Sequence, residues 1–245
     1  MDTDMNEQEF NDIFKRIFNE NRLGRFEPFS GVFFRLTEKL LSSPVNVTAI
    51  KNTADIIALH YADSLLGERF VPDNSNCVDV GSGGGFPALP LAAVRGDIKM
   101  TALDSTAKKL TFIRAAADHC GIDNIGILHA RAEEAFEKRS ELRESFDCVT
   151  ARAVAPMDML CELCLPAIRT GGVFIAYRGA DGMNEFKTSK KAIRILGGET
   201  AEVYDTKLLS ESGENQRYIF VIKKIAGSPD MYPRKFAKIQ KEPIN

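Results

Sequence analysis

The run Val78-Asp79-Val80-Gly81-Ser82-Gly83-Gly84-Gly85-Phe86-Pro87 leaves the chain few ways to fold at that point: a short apolar strand, a glycine loop and the start of a helix. Glycines at alternate positions admit open backbone conformations and let a ligand approach the main chain closely. Pro87 suits a first helical turn, where a missing N–H costs nothing. The segment reads as a nucleotide-cofactor cradle, with an ordinary glycine-rich turn as the alternative.

The spacing narrows the choice of cofactor. A dinucleotide fingerprint places its glycines as G-x-G-x-x-G and seats a pyrophosphate on the helix N-terminus. Here the glycines stand as Gly81-x-Gly83-x-Gly85, and Asp79 precedes the first by two positions. Fixed negative charge suits a cationic ligand better than a pyrophosphate. S-adenosyl-L-methionine, which carries a sulfonium and an ammonium, meets that requirement; a nicotinamide cofactor on a Rossmann sheet is the competing expectation.

Beyond the loop, strand and helix patterns alternate. Lys99 to Asp104 reads as a strand, Ser105 to His119 as a helix, Ile125 to His129 as a strand and Ala132 to Lys138 as a helix. Phe146 to Ala151 is a further strand, a helix runs from Pro156 to Ile168, and Val173 to Tyr177 is the next strand. Such alternation predicts a parallel sheet with helices on both faces. After a helix near Met183 to Leu196, Glu199 to Leu209 and Gln216 to Lys224 read as two strands joined by the turn-rich Ser210 to Asn215, a terminal hairpin. The predicted fold is a doubly wound, mostly parallel, seven-stranded α/β sheet of the Rossmann-like class I methyltransferase type. Residues 1–70 form an N-terminal helical extension, with Phe10, Ile13, Phe14 and Phe18 on one face, residues 71–226 the cofactor-binding domain, and residues 227–245 a basic tail.

Composition sets limits on partners. The 245 residues carry a net charge of −2, so attraction to nucleic acid has to come from a local patch. One lies between Lys223 and Asn245, where Lys223, Lys224, Arg234, Lys235, Lys238 and Lys241 outnumber Asp230 and Glu242, with Tyr232 and Phe236 interleaved as stacking groups. A solvated tail is the alternative. No apolar stretch is long enough to span a membrane, and the acidic Met1-Asp2-Thr3-Asp4 lacks a secretory pattern, which predicts a cytoplasmic protein. The five cysteines, Cys77, Cys120, Cys148, Cys161 and Cys164, sit in apolar segments and read as small core residues rather than metal ligands.

In an open parallel sheet, ligands bind beyond the carboxyl ends of the strands. Asp104, about twenty residues after the glycine loop, suits a carboxylate that accepts both ribose hydroxyls; the alternative is that Asp104-Ser105 caps the next helix. Arg131-Ala132-Glu133-Glu134 suits adenine, through a backbone N–H and a side-chain acceptor at Ala132 and Glu133; the alternative is a charged helix start. The fourth strand runs into Thr150-Ala151-Arg152-Ala153-Val154-Ala155-Pro156. It holds neither the polar-Pro-Pro-aromatic motif of exocyclic-amine methylation nor a cysteine-proline pair for carbon methylation. An acceptor with a free lone pair, such as guanine N7, needs no base and can rely on positioning. Arg152 is the candidate for orienting the acceptor, binding cofactor or holding phosphate; the alternative is a pair with Asp79 or Asp104.

The chain resembles the glucose-inhibited division protein B family, bacterial 16S ribosomal RNA (guanine-N7) methyltransferases. The resemblance rests on Asn46-Val47-Thr48-Ala49-Ile50, His60-Tyr61-Ala62-Asp63-Ser64-Leu65, Asp79 to Pro87, Leu103-Asp104-Ser105, Arg131 to Glu134 and Thr150 to Ala153. It implies cofactor contacts at Gly81, Phe86, Ala132, Glu133 and Arg152, with Asp104 to Thr106 beside the ribose, and Asp79 and Gly83 within the same loop. It also implies a guanine of small-subunit ribosomal RNA near the decoding centre as substrate; the alternatives are another RNA or a protein as acceptor, or a ribosome-assembly factor with a vestigial cofactor pocket. In the basic tail Arg234, Lys235 and Lys238 are expected to face the RNA or subunit particle, and a monomer is the expected state. Ala88 stands where the family usually has glycine. The tail starts as Tyr232-Pro233-Arg234-Lys235 but continues Phe236-Ala237-Lys238-Ile239 where glycine and proline are common. His60 and Asp63, one helical turn apart, either lie near the pocket or pin the N-terminal helices to the sheet.

Overall fold

Side chains along the strand Ile168–Arg178 alternate between two apolar clusters: Phe174 and Ala176 enter one, Ile175 and Tyr177 the other. A strand buried on both faces belongs to a sheet covered on both sides, the arrangement that parallel sheets require. The computed structural model describes residues 5–244, so the acidic Met1-Asp2-Thr3-Asp4 lies outside the described residues. Seven strands run in the order β3-β2-β1-β4-β5-β7-β6: β1 (Asn76–Val80), β2 (Lys99–Asp104), β3 (Ile125–His129), β4 (Phe146–Arg152), β5 (Ile168–Arg178), β6 (Gly198–Ser210) and β7 (Gly213–Lys224). The first five are parallel, and β7 pairs antiparallel with both β5 and β6. The strand order reverses between β1 and β4, the switch point at which ligands bind in such sheets.

The helices are α1 (Glu7–Glu20), α2 (Ser30–Leu41), α3 (Thr53–Ile56), α4 (Asp63–Leu65), α5 (Ala88–Val94), α6 (Ala107–Cys120), α7 (Ala132–Ala135), α8 (Met157–Cys164), α9 (Gly182–Ile195) and α10 (Phe236–Lys241). A π-helical turn over Ile57–Ala62 joins α3 to α4. Helix α1 starts in a reciprocal cap, Asn6 with Glu9, and buries Phe10, Phe14, Ile17 and Phe18. Those rings pack on Phe33 of α2, which in turn meets Tyr61. The N-terminal helices, α5 and α6 share one cluster with Ile175, Tyr177, Ile219 and Val221; α7, α8, α9 and Ile239 of α10 fill the other. Among the described residues, no helix is long and apolar enough to cross a membrane.

Several element boundaries differ from the sequence expectation, β5 among them, which starts at Ile168 instead of Val173. Helix α7 stops at Ala135 instead of Lys138, where the Ser140 hydroxyl donates to the Ala135 carbonyl at 2.6 Å and turns the chain. Helix α8 stops at Cys164 instead of Ile168, because Pro166 has no N–H to continue it, and β5 already begins at Ile168. Both hairpin strands run further toward the turn, leaving only Glu211 and Ser212 between them. All five cysteines are buried and free, as small core residues.

Candidate active site

The carboxyl ends of β1, β2 and β4 carry the residues singled out in the sequence. Leaving β1, Gly81 and Ser82 both donate their N–H groups to the Leu103 carbonyl, at 2.8 and 2.9 Å, which folds the glycine loop over the end of β2. Gly81, at φ +72°, cannot carry a side chain: an added Cβ would sit 2.6 Å from Val154. The loop is thereby pressed against the segment that follows β4.

Asp104, at the end of β2, has each carboxylate oxygen engaged by a backbone N–H: Gly83 donates to Oδ2 at 2.9 Å and Thr106 to Oδ1 at 2.8 Å. Both the cap and the ligand-facing role are thus open to it, since every carboxylate oxygen keeps a second lone pair. Asp104 lines a cleft of about 330 Å³ together with Gly81, Ser105, Thr106, Ala132 and Glu133. Six of the expected cofactor residues therefore converge.

Four others stand apart from that cleft's lining. Gly83 lies behind it, holding Asp104. Asp79 is buried beneath the loop; its Oδ1 accepts from the Thr150 hydroxyl at 2.7 Å, and its Oδ2 has no hydrogen-bond partner among the described residues. Burial pushes its carboxyl up to about 6, against the pull of the Thr150 hydrogen bond. Phe86 is buried with its ring stacked on His60, centroids 4.3 Å apart and planes 6° from parallel. Arg152 points the other way, into a second cleft.

That second cleft, about 480 Å³, is lined by His60, Asp63, Arg152, Tyr177, Arg178 and Arg217, among others. Arg152 does not pair with Asp79 or Asp104. Its Nη1 donates to Asp63 Oδ2 at 2.7 Å and to the Leu59 carbonyl at 2.9 Å. Asp63 Oδ1 accepts from Arg217 Nε, also at 2.7 Å, so one buried carboxylate holds two guanidinium groups. His60 bonds the Thr48 hydroxyl through Nε2 at 2.7 Å. Burial and then the charge of Arg152 lower its pKa to about 4. The π-helical turn over Ile57–Ala62 sets His60 against Phe86 and delivers Asp63 to the arginines.

The two clefts share one residue, Ala153, which adopts φ +55° although it is not glycine. A left-handed alanine costs of order 1 kcal/mol and persists where surrounding structure imposes it.

The basic tail is folded onto the domain instead of extending into solvent. Arg234, expected to face RNA, turns inward: its Nε and Nη2 donate to the fully buried Glu162 at 2.9 and 2.6 Å, and its backbone N–H donates at 2.8 Å. That corrects the expectation for Arg234, whose charge is neutralised in place; Lys235 and Lys238 remain exposed. Lys224 is buried, bonded to Ser228 and the Leu165 carbonyl. Sequence reasoning missed Arg178, Asn215 and Arg217, which carry no motif and reach the cleft only through the pairing of β5 with β7.

With both clefts in view, comparison with known proteins is decisive. The profile described as GidB, rRNA small subunit methyltransferase G, matches residues 38–212. The chain belongs to the GidB family. Ribosomal RNA small subunit methyltransferase G of Clostridium beijerinckii is 42% identical over 82% of this chain and 83% of its own. The protein of that name from Lysinibacillus sphaericus is 36% identical over 98% of this chain and its full length, and the Bacillus subtilis one 37% over 91% of each. Among solved structures, an S-adenosylmethionine-dependent O-methyltransferase from Thermotoga maritima superposes with a TM-score of 0.53 at 17% identity, covering 79% of this chain and 73% of its own. That likeness speaks for the fold. Arg217 and the tail lie beyond the segment matched by the family profile.

Proposed function

We propose that this chain transfers a methyl group from S-adenosyl-L-methionine to N7 of a guanine in 16S ribosomal RNA, with the cofactor in the cleft beside Asp104 and the target base in the cleft beside Arg152. Bound there, the cofactor supplies an electrophilic sulfonium methyl whose displacement leaves a neutral thioether. The chain's residues fit such a group. Asp104 retains lone pairs for ribose hydroxyls, Ala132 and Glu133 offer an N–H and a carboxylate to adenine, and the unpartnered Asp79 Oδ2 supplies negative charge beneath the loop. Ser105 and Thr106 complete the wall, and Phe86 supports the loop from behind through His60.

The observation that carries the choice of acceptor is the lack of a competent base among the described residues lining the second cleft. His60, at about 4, is too weak a base to take a proton near neutral pH, and Asp63 is locked between two guanidinium groups. An acceptor that must first lose a proton is poorly served; guanine N7, with its lone pair exposed, requires only alignment. Arg152 and Arg217 are suited to the guanine edge and its phosphate, and the exposed Lys235 and Lys238 to flanking phosphates of the RNA or subunit particle.

The test is mass-spectrometric mapping of 7-methylguanosine in small-subunit RNA from cells with and without the protein. Loss of one modified guanine on deletion, restored by the intact gene, is expected. An unchanged profile removes the ribosomal assignment.

A further inference from the structure

The C-terminal segment is strapped across the cofactor side of the domain at several points. Arg143 holds the carbonyls of Ser228 and Tyr232 with its two Nη atoms, at 2.8 and 2.6 Å. Arg234 is fixed to Glu162 on α8, and Ile239 of α10 is fully buried in the cluster that α8 shares. Between these anchors lies Phe236, half-buried, whose ring lines the 330 Å³ cleft alongside Ala132, Glu133 and Leu163. Phe236 packs against the cluster that buries Ile239 and Ile244, and it also lines the cleft, so an aromatic side chain on a firmly held segment is left partly exposed at the cleft wall.

We propose that Phe236 is a cofactor-binding residue: carried in by the C-terminal strap, it supplies an aromatic wall for the purine of the cofactor. The proposal rests on the cofactor assignment above. An aromatic face suits a purine because it buries the ring without demanding hydrogen bonds, and the polar contacts to its edge are left to Ala132 and Glu133. Phe236 shares the lining of this cleft with Ala132 and Glu133, the residues assigned to adenine, whereas Asp79 lies outside that lining and the second cleft shares only Ala153 with it. The strap therefore does two jobs: its exposed lysines face outward while one aromatic ring faces the cofactor.

The experiment is calorimetric titration of the full chain with S-adenosylhomocysteine and with 5′-methylthioadenosine, which lacks the amino-acid end. Phe236→Ala is expected to weaken both ligands by a similar factor, about tenfold, Phe236→Tyr to restore them, and Gln240→Ala, exposed on the same helix, to change neither. The chain has no tryptophan, so Phe236→Trp places a single, selectively excitable tryptophan at the wall, and its emission is expected to shift as S-adenosylhomocysteine saturates. Phe236→Ala binding both ligands like the unaltered protein, weakening only the ligand with the amino-acid end, or a Trp variant that saturates without an emission change would overturn the proposal. Failure of the unaltered protein to bind S-adenosylhomocysteine would instead overturn the cofactor assignment on which it rests.

Discussion

The two clefts that meet at Ala153 are built in opposite ways. The cofactor cleft is made chiefly of main chain and small groups from short, contiguous motifs: the loop at Gly81, the strand end at Asp104, the helix start at Ala132. The second cleft is organised around charged side chains, Asp63, Arg152, Arg178 and Arg217, drawn from α4, the ends of β4 and β5, and β7, with apolar and neutral polar residues between them. A cleft of backbone is shaped by conformation and tolerates side-chain change poorly only where no Cβ fits. One of paired charges is shaped by partners and fails when a partner is removed. On the proposed reading, cofactor binding and acceptor selection fall to different clefts, and substitutions can divide them.

The sharpest way to break the division is at the glycine loop. Gly81→Val forces a branched side chain into φ +72° against Val154, and S-adenosylhomocysteine affinity is expected to fall about a hundredfold or more. Gly83→Ala places its Cβ in ordinary contact with the Gly81 carbonyl, at 3.8 Å, and is expected to cost about 1 kcal/mol in stability through its positive φ, with a small change in affinity. Calorimetry and thermal melts distinguish these, and equal losses would show that φ rather than close approach governs the loop.

Asp63→Ala tests the other cleft. It leaves Arg152 and Arg217 without their shared carboxylate, at an expected cost of about 3 kcal/mol in denaturant unfolding. RNA methylation should be lost while S-adenosylhomocysteine still binds. Parallel loss of binding would mean that the clefts are one unit.

Asp79→Asn sharpens the comparison through pH. The folded carboxyl titrates near 6, above its ordinary 3.8, so the folded state favours the protonated form. Its contribution to stability is present below about 3.8 and is lost as pH rises through 6. Asparagine, which keeps an acceptor for Thr150, should therefore raise the melting temperature at pH 8 relative to the unaltered protein, by an amount equivalent to about 1–3 kcal/mol, and little at pH 4. Cofactor affinity should move the opposite way, because the uncompensated charge is removed. A pH-independent difference in melting would deny Asp79 that titration.

The smallest effect is expected outside both clefts. Lys238→Ala should leave S-adenosylhomocysteine binding intact and reduce the salt dependence of RNA affinity by about one unit of slope. An unchanged slope would place the RNA path elsewhere.

The same contrast explains what the sequence could tell. Strands such as Ile125–His129 are legible because a short apolar run follows the turn-forming Asp123-Asn124, and the cofactor cleft because a glycine loop and a strand-end aspartate are local signals. Arg217 was not legible: it is one basic residue in a strand, and only the β5–β7 pairing brings it to Asp63. Arg234 misled for a related reason. Composition counts its charge but is blind to Glu162, seventy-two residues away, which takes it. The ends of α7 and α8 depended on Ser140 and Pro166, whose effect was visible in principle, though helical periodicity masked it.

Asp63 and its two arginines also bear on the order in which the enzyme becomes competent during synthesis. Asp63 and Arg152 emerge from the ribosome well before Arg217, which lies on the last strand of the sheet. Until that strand is made and inserted between β5 and β6, the shared carboxylate has only one of its guanidinium partners. A growing chain can therefore assemble the glycine loop and Asp104 while the cleft beside Arg152 is still incomplete, and on the proposed reading the capacity to modify RNA arrives only with a finished fold.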